Sequence, residues 1–196
     1  MNGLILNGGL SSRMGSPKSE IQYHNKPQHQ YLFELLSEKC EGVYFSVKKN
    51  SSDFPYPQIE DRLDIQSPIN GIYSALKYLQ TSWLVVANDM PLVTEKTLDQ
   101  LLSQRDPKKA VTCFYDSSGK RPEPLLSIWE PTSLELLEAY IKKGGISPRN
   151  FLETHDIKLI TIENAEALLN INSKEELEIF RKKNIENSPD SPPNEV

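Results

Sequence analysis

Short apolar runs alternate along the chain with amphipathic helical patterns, and this alternation limits the possible folds more than any other feature. The clearest runs are "WLVVAND" and "KAVTCFYD", both rich in β-branched and aromatic side chains. Such alternation is typical of a parallel sheet with crossover helices. We therefore predict an α/β fold with strands at Asn2–Leu6, Gly42–Val47, Pro57–Ile59, Trp83–Ala87, Ala110–Phe114, Leu125–Trp129 and Lys158–Ile162.

The helical patterns between these strands predict crossover helices with one apolar face each. The segment "TEKTLDQLLSQ" opens with a capping residue, Thr94, and "PTSLELLEAYIKK" and "NSKEELEIFRKK" also begin with Ser or Thr caps. A turn-rich stretch, Tyr115–Pro124, interrupts the alternation and predicts a late hairpin with an antiparallel strand. The predicted core-facing positions are Leu32, Leu35 and Leu36, followed by Ile72, Ala75, Leu76 and Leu79.

Composition narrows the classes of partner. The net charge of −5 gives no general attraction for nucleic acid, and no apolar run is long enough to cross a membrane. The two cysteines lack metal-ligand spacing and indicate reduced thiols. We expect a cytoplasmic chain with a small-molecule partner, a single domain over residues 1–183, and a disordered acidic, proline-rich tail over residues 184–196.

A glycine loop follows the first strand in the stretch "LILNGGLSSRMGSPKSEI". Gly8 and Gly9 permit close approach of the backbone to a ligand, and the N–H groups up to Ser12 could surround a phosphate. Neither standard phosphate motif fits. In GxxxxGK[ST] the glycines enclose four residues and a lysine follows directly, whereas Gly9 and Gly15 enclose five residues and Ser16 follows. The pattern GxGxxG is also absent from this loop. From these residues alone, a phosphate site and a plain turn with solvated Arg13 remain equally open.

A second candidate is Asp89, which directly follows the most apolar predicted strand in "VVANDMPLV". Pro91 prevents that strand from continuing, so Asp89 is expected at the carboxyl edge of the sheet, where open α/β sheets bind ligands. A carboxylate there suits a magnesium ion that bridges phosphates, although Asp89 could also be a turn former or helix cap. Together with the glycine loop and the cations Arg13 and Lys18, Asp89 would complete a phosphate cleft.

Other candidates carry weaker signals. Asp61 follows a short predicted strand, and Gly71 lies where a helix is expected to begin and could meet a ligand through its backbone. Arg121 and Arg149 fall in predicted turns, where they could bind an anionic substrate or form surface salt bridges. The segment "NIN", with Asn170 and Asn172, could simply cap the last helix.

With these residues in view, the sequence resembles the molybdenum cofactor guanylyltransferase family, the MobA-like nucleotidyltransferases. The family's opening pattern, LAGG-x-S-x-RMG-x-DK, matches "LNGGLSSRMGSPK" at Leu6, Gly8, Gly9, Ser11, Arg13, Met14, Gly15 and Lys18. Later family motifs match in the same order: the "ED" acid at Asp61, "GPLAG" at "SPINGI" with Gly71, "CDMP" at "NDMP" with Asp89, "xPLxAxY" at "EPLLSIW", and "NxNTPEDL" at "NINSKEEL". The chain departs from the pattern at Asn7, Pro17 and Ser67, where the family has Ala, Asp and Gly.

The resemblance implies a Rossmann-like nucleotidyltransferase fold, with a mostly parallel twisted sheet and helices on both faces. It implies transfer of GMP from GTP to molybdenum-molybdopterin, which yields pyrophosphate and the guanine dinucleotide form of the cofactor. The implied catalytic residues are Arg13, Lys18 and Asp89, with Asp89 holding Mg²⁺. The implied nucleotide-binding residues are Leu6, Asn7, Gly8, Gly9, Ser11, Ser12, Gly15, Asp61 and Gly71. Arg149, Asn170 and Asn172 would face molybdopterin.

Two alternatives remain beside guanylyl transfer. A cytidylyltransferase or sugar-phosphate nucleotidyltransferase of the same fold would keep the glycine loop, Lys18 and Asp89 but change the base contacts near Asn7. A nucleotide-binding accessory protein without turnover would account for the departures from the family pattern. Implied protein partners are molybdoenzymes, their chaperones and other cofactor-biosynthesis proteins.

Overall fold

The computed structural model describes residues 1–7, 26–49 and 54–169. In this part of the chain, no helix is long and apolar enough to cross a membrane. The strands are β1 Asn2–Leu6, β2 Val43–Val47, β3 Gln58–Glu60, β4 Trp83–Ala87, β5 Val111–Tyr115, β6 Pro122–Trp129 and β7 Lys158–Ile160. The helices are α1 Gln28–Ser37, α2 Pro68–Tyr78, α3 Glu95–Ser103, α4 Ser133–Lys142 and α5 Pro148–Thr154, followed by a 3₁₀ turn, Ala165–Leu168.

The seven strands form one mixed sheet in the order β3-β2-β1-β4-β6-β5-β7. The first four strands along the chain pair in parallel, and β5 pairs in parallel with β7. Only β6 in this described sheet runs antiparallel to its neighbours, β4 and β5. The predicted α/β class and the late antiparallel strand are therefore confirmed.

The sheet separates two apolar clusters, because side chains alternate between its faces. Ile5 of β1 packs with residues of α1 and α3, whereas Leu4 packs with residues of α2, α4 and α5. Every residue of β1 and β4 is buried, as expected for central strands covered on both sides. Helices thus cover both faces, as the family resemblance implies.

Local corrections concern where helices begin and end. Leu79 was expected on the buried face of α2, but it is 40% exposed because α2 ends at Tyr78 and Leu79 has an extended backbone. At the start of α4, Thr132 makes no capping hydrogen bond, whereas Thr94 caps α3 as predicted. The expected helix "NSKEELEIFRKK" and the tail over residues 184–196 lie outside the described residues.

Helix α5 was also not predicted, because its segment was assigned to a turn. Ser147 accepts a hydrogen bond from the backbone N–H of Asn150, and Pro148 occupies the first helical position. These are standard helix-start signals. Arg149 therefore lies on a helix rather than in the expected turn.

Candidate active site

The carboxyl ends of the parallel strands β1–β4 meet along one edge of the sheet. Leu6, the last residue of β1, pairs with Ser46 of β2 on one side and with Ala87 of β4 on the other. The residues that follow these strands therefore lie side by side at this edge, which is where open α/β sheets bind ligands. They are Asn7 after β1, Lys48 after β2, Asp61 after β3, and Asn88 and Asp89 after β4.

The glycine-loop sequence follows directly after Asn7, which lies at this edge. Its predicted site residues lie outside the described part of the chain, so their positions stay predictions: Gly8, Gly9, Ser11, Ser12, Arg13, Gly15 and Lys18. Asn170 and Asn172 also lie outside it. The described site residues are Leu6, Asn7, Asp61, Gly71, Asp89 and Arg149.

Two asparagines connect the ends of β1 and β4. The backbone N–H of Asn88 donates to the carbonyl of Leu6 at 3.2 Å, and its side-chain Nδ2 donates to Oδ1 of Asn7 at 3.3 Å. Asn88 is only 4% exposed, and its Oδ1 has no hydrogen-bond partner among the described residues. The ends of β1 and β4 are thus joined by a pair of polar side chains, and Oδ1 of Asn88 has no hydrogen-bond partner among the described residues.

Asp89 is half-buried in the turn that ends β4, as the strand pattern predicted. The backbone N–H of Met90 donates to the carbonyl of Ala87 at 3.3 Å and closes this turn. From α1, the side-chain amide of Gln28 donates to the Met90 carbonyl at 3.3 Å. Because Thr94 caps α3, a helix-capping role does not explain Asp89.

The donor set at this edge is compatible with magnesium. Mg²⁺ usually binds through one or two carboxylates, with phosphate and water oxygens completing its octahedron. Asp89 offers one carboxylate, and the described residues contain no cluster of three or more His, Cys, Asp or Glu side chains that could hold a metal alone. This arrangement suits a metal that arrives with a phosphate ligand rather than a site enclosed by protein.

Asp61 lies at the same edge, on the far side of β2 from Asp89. Its Oδ1 accepts a hydrogen bond from the Ser46 hydroxyl at 3.0 Å, and its N–H donates to the carbonyl of Val47. Burial raises the pKa of Asp61, while the Ser46 hydroxyl and the charge of Lys48 partly offset the increase. The carboxylate is thus held in a partly buried position by Ser46, directly after the end of β3.

Gly71 has a packing reason to be glycine. It lies inside α2, three residues after the helix begins at Pro68, rather than at the helix start. A Cβ at this position would lie 2.3 Å from Oγ of Ser46 and 2.8 Å from Cδ2 of Leu6. The absence of a side chain lets α2 approach β1 and β2 closely, and a contact between Gly71 and a nucleotide stays a prediction.

Arg149 lies on the other side of β4, against β6. Its Nη2 donates to Oε2 of Glu123 at 3.1 Å, and the other oxygen of Glu123 accepts from the backbone N–H of Leu125 at 2.9 Å. Burial raises the pKa of Glu123, although the hydrogen bond from Leu125 and the charge of Arg149 act in the opposite direction. Arg149 therefore forms a salt bridge, which is one of the two roles considered for it from the sequence. Its partner, Glu123, is buried rather than at the surface.

Comparison with known proteins agrees with this architecture. Residues 3–159 match the model of the family described as the MobA-like NTP transferase domain. The chain belongs to this family of nucleotidyltransferases. The glycine loop, the carboxyl edge of the sheet and Asp89 all fall within the matched range.

Relatives extend the match over most of the chain. A "Probable molybdenum cofactor guanylyltransferase" from Flavobacterium johnsoniae is 29% identical over 88% of this chain and 92% of the relative. A "Molybdenum cofactor biosynthesis bifunctional protein" from Synechocystis sp. is 32% identical over 89% of this chain. The match covers 52% of the Synechocystis protein, so this chain corresponds to about half of that relative.

Solved structures confirm the fold. A molybdopterin-guanine dinucleotide biosynthesis protein A from Archaeoglobus fulgidus superposes with a TM-score of 0.77 at 23% identity, covering 93% of this chain and 98% of that one. A 2-C-methyl-D-erythritol 4-phosphate cytidylyltransferase from Thermus thermophilus gives 0.67 at 9% identity, covering 92% and 97%. At these identities the likeness establishes the nucleotidyltransferase fold and not the substrate.

Three residues at the site received no role from the sequence: Ser46, Asn88 and Glu123. Ser46 and Glu123 lie within strands, and their contacts depend on partners far along the chain. Asn88 lies beside Asp89 in the motif "NDMP", so its position at the strand end was visible. Its hydrogen bond to Asn7, 81 residues away, was not.

Proposed function

We propose that this chain transfers GMP from GTP to molybdenum-molybdopterin, forming the guanine dinucleotide form of the molybdenum cofactor and releasing pyrophosphate. The observation that carries the proposal is the position of Asp89 at the carboxyl end of β4, beside the end of β1. The glycine loop of the family pattern begins at that same point. Family membership and the name of the Flavobacterium relative support the choice of substrates.

The chemistry requires positioning more than proton transfer. The attacking group is a phosphate monoester whose second pKa is about 6, so it is already largely a dianion at neutral pH. No general base is therefore needed. The task of the protein is to hold two mutually repelling anions in line and to stabilise the charge that develops on pyrophosphate.

Each part of the site has a proposed task in this transfer. The backbone from Gly8 to Ser12, together with Arg13, binds the triphosphate, and Lys18 contacts the phosphates at the reaction centre. Asp89 holds Mg²⁺, which when bound neutralises phosphate charge. On the nucleotide side, Leu6 and Asn7 contact guanine and Asp61 lies toward the nucleoside, and the further nucleotide-binding positions are Gly15 and Gly71. On the acceptor side, Arg149, Asn170 and Asn172 face molybdopterin.

A second candidate is cytidylyl transfer on the same fold. The Asn7–Asn88 pair supports cytidylyl transfer as a candidate. The pair places amide groups at the end of β1, where the family backbone is expected to meet the base. Amides both donate and accept hydrogen bonds, so they can distinguish bases by the pattern on their edges. An accessory protein that binds nucleotide without turnover is the third possibility.

The deciding experiment measures pyrophosphate release with GTP, CTP and ATP in turn, in the presence of molybdenum-molybdopterin and magnesium. We expect release with GTP and much slower release with the other two. A preference for CTP would replace guanylyl by cytidylyl transfer. Binding of nucleotide without release under any condition would favour the accessory protein.

The remaining parts of the proposal concern cellular context. We propose that the chain acts in the cytoplasm as a single domain over residues 1–183, with the tail over residues 184–196 disordered. Its product would pass to molybdoenzymes or their chaperones, and contacts with other cofactor-biosynthesis proteins are expected. Fractionation of cells and limited proteolysis of the purified chain test localisation and domain extent separately.

A further inference from the structure

Glu123 is a buried carboxylate whose partner reaches the surface. The Glu123 side chain is 6% exposed, whereas that of Arg149 is 34% exposed. Taking a carboxylate out of water is unfavourable, and a single buried ion pair rarely returns a net gain in stability. Stability alone therefore does not explain why the Glu123 carboxylate is buried beside Arg149.

Arg149 has unused hydrogen-bonding capacity. Its Nη2 contacts Glu123, while its Nε is buried and has no acceptor in the described part of the chain. An unsatisfied buried N–H is unfavourable, and a guanidinium presents five N–H donors in a fixed planar fork that suits phosphate oxygens. One contact fixes the guanidinium. Because Nε is enclosed, the donors that remain for an anion are those of Nη1 and Nη2 on this 34% exposed side chain.

The pairing register carries Glu123 to the edge of the sheet where Asp89 lies. The last paired residues of β4 and β6 are Val86 and Leu126. Because the strands are antiparallel, the three steps back from Leu126 to Glu123 run in the same direction as the three steps on from Val86 to Asp89. Glu123 and Arg149 thus belong to the carboxyl edge, on the opposite side of β4 from Asp61.

A second ion pair beside the first provides a comparison. Arg121, which directly precedes β6, contacts Glu153 of α5 with Nε 2.6 Å from Oε1. These side chains are 50% and 34% exposed, so this pair is an ordinary surface salt bridge of small net value. The two pairs link the same two parts of the chain but differ in the burial of their carboxylates.

We propose that Glu123 is a positioning residue: it holds the Arg149 guanidinium at the sheet edge so that the remaining N–H groups bind a phosphate monoester on the acceptor substrate. The inference rests on the proposed function and deepens it, because it assigns a previously unassigned buried carboxylate to the acceptor side of the site. Glu123 itself does not touch the substrate in this proposal. It acts through Arg149, which supplies the donors.

The test compares E123Q, R149Q and the surface control E153Q by steady-state pyrophosphate release, varying GTP and molybdenum-molybdopterin separately. We expect R149Q to raise the acceptor KM about tenfold or more, and E123Q to raise it by a similar factor, with the GTP KM changed less than about twofold. E153Q leaves both KM values unchanged. The double variant E123Q/R149Q is no worse than R149Q, because Glu123 acts only through Arg149.

Failure of the inference is distinguishable from failure of the proposed function. If the unsubstituted chain releases no pyrophosphate with any nucleotide, the proposed function falls and this inference falls with it. If the unsubstituted chain is active but R149Q keeps a normal acceptor KM, the inference alone is wrong. The double variant E123Q/R149Q leaves no unpaired buried charge, so it keeps this test open where either single variant fails to fold, and a normal acceptor KM in it would also contradict the inference.

Discussion

Asn7 stands where the family pattern has alanine, and the structure places it in contact with Asn88 of the "NDMP" motif. Nδ2 of Asn88 lies 3.3 Å from Oδ1 of Asn7, across the ends of neighbouring strands. A lone polar residue in such a buried position would leave a donor or acceptor unpaired, which costs free energy. Two asparagines together satisfy part of that requirement, so they are best understood as one polar unit.

At Asp89 we predict a loss of chemistry without a loss of fold. D89N keeps the size of the side chain but removes the negative charge that magnesium requires, so transfer falls by about 10²–10³-fold, as for loss of one preorganised electrostatic contact. The thermal midpoint stays close to that of the unsubstituted chain. D64N, which changes an exposed carboxylate in the loop after β3, serves as the matched control and keeps full activity.

At Gly71 the expected effect is on packing. G71A places a methyl group within 2.3 Å of the Ser46 hydroxyl oxygen, so α2 must shift away from the sheet. We expect the free energy of unfolding to fall by about 1–3 kcal/mol, measured by urea denaturation. In the S46G background the same substitution costs less, because the contacts with the Ser46 side chain disappear. Purely additive effects of the two substitutions would contradict the steric explanation.

Single residues also show what sequence alone could supply. Asp89 was assigned to the sheet edge because an acidic residue follows a run of buried apolar residues and a proline follows the acid. Glu123 received no role, since its significance depends on Arg149, 26 residues away on a helix that was assigned to a turn. Residue type and strand end were therefore readable, but partners brought together by tertiary folding were not.

Among the elements, the β5–β6 hairpin is organised by one aspartate in its turn. Oδ1 of Asp116 accepts from the Ser118 hydroxyl and from backbone N–H groups of Ser118, Lys120 and Arg121. These bonds, above all the one from the Ser118 hydroxyl, lower the pKa of Asp116 to about 2. The turn is thus ordered by an ionised carboxylate rather than by apolar packing.

This carboxylate predicts a specific pH dependence. Because the folded pKa is depressed, ionised Asp116 stabilises the hairpin above the unfolded pKa, and this contribution is lost as pH falls through about 2. Urea midpoints of the unsubstituted chain and D116N should differ at pH 7 and converge between about pH 4 and pH 2. S118A removes one donor and should show a smaller difference with the same trend. A constant difference across this range would contradict the assignment.

The predicted bounds of the two central strands, β1 and β4, agree with the structure. All residues of both strands are buried, although only β4 is apolar throughout. Helix α5 differs from the turn predicted for its segment, although Ser147 and Pro148 signal a helix start. Its stability comes from Phe151 and Leu152, which pack into the core on a face formed by other elements.

At the scale of the whole molecule, the edge opposite the site is joined by a buried ion pair. Arg105, beyond the end of α3, donates from Nε and Nη2 to the two oxygens of Glu130, which follows β6, at 2.6 and 2.8 Å. Ser82, which precedes β4, donates to Glu130 at 2.7 Å and accepts from Arg105. The side chain of Glu130 is 4% exposed, so its buried negative charge requires the positive charge of Arg105. This group joins the segments that contain Ser82, Arg105 and Glu130.

Removing one member of this group should destabilise the entire chain. R105A leaves Glu130 as an unpaired buried carboxylate, and we expect the free energy of unfolding to fall by about 3–5 kcal/mol. K39A, which removes the partner of the exposed carboxylates Glu95 and Asp99, should cost no more than about 1 kcal/mol. Chemical denaturation of both variants at neutral pH gives the comparison. Equal losses would show that burial of Glu130 is not the cause.

The global topology was only partly accessible from the sequence. The alternation of strands and helices predicts the class, the turn-rich stretch Tyr115–Pro124 predicts the late antiparallel strand, and the family resemblance implies helices on both faces. The position of β6 between β4 and β5 is not among the sequence predictions, because strand order depends on contacts between segments that are far apart in the sequence. That position brings Glu123 to the same edge as Asp89.

The antiparallel course of β6 has a practical consequence for spectroscopy. Tyr115 pairs with Pro122, so the turn between them projects from the same edge as the site, and Ser117 is exposed at its tip. Burial raises the pKa of the native thiols to about 11 at Cys40 and about 12 at Cys113, so neither forms much thiolate at neutral pH. A fluorophore on S117C could therefore be attached selectively, without first replacing the native cysteines, and would report ligand binding at the carboxyl edge of the sheet.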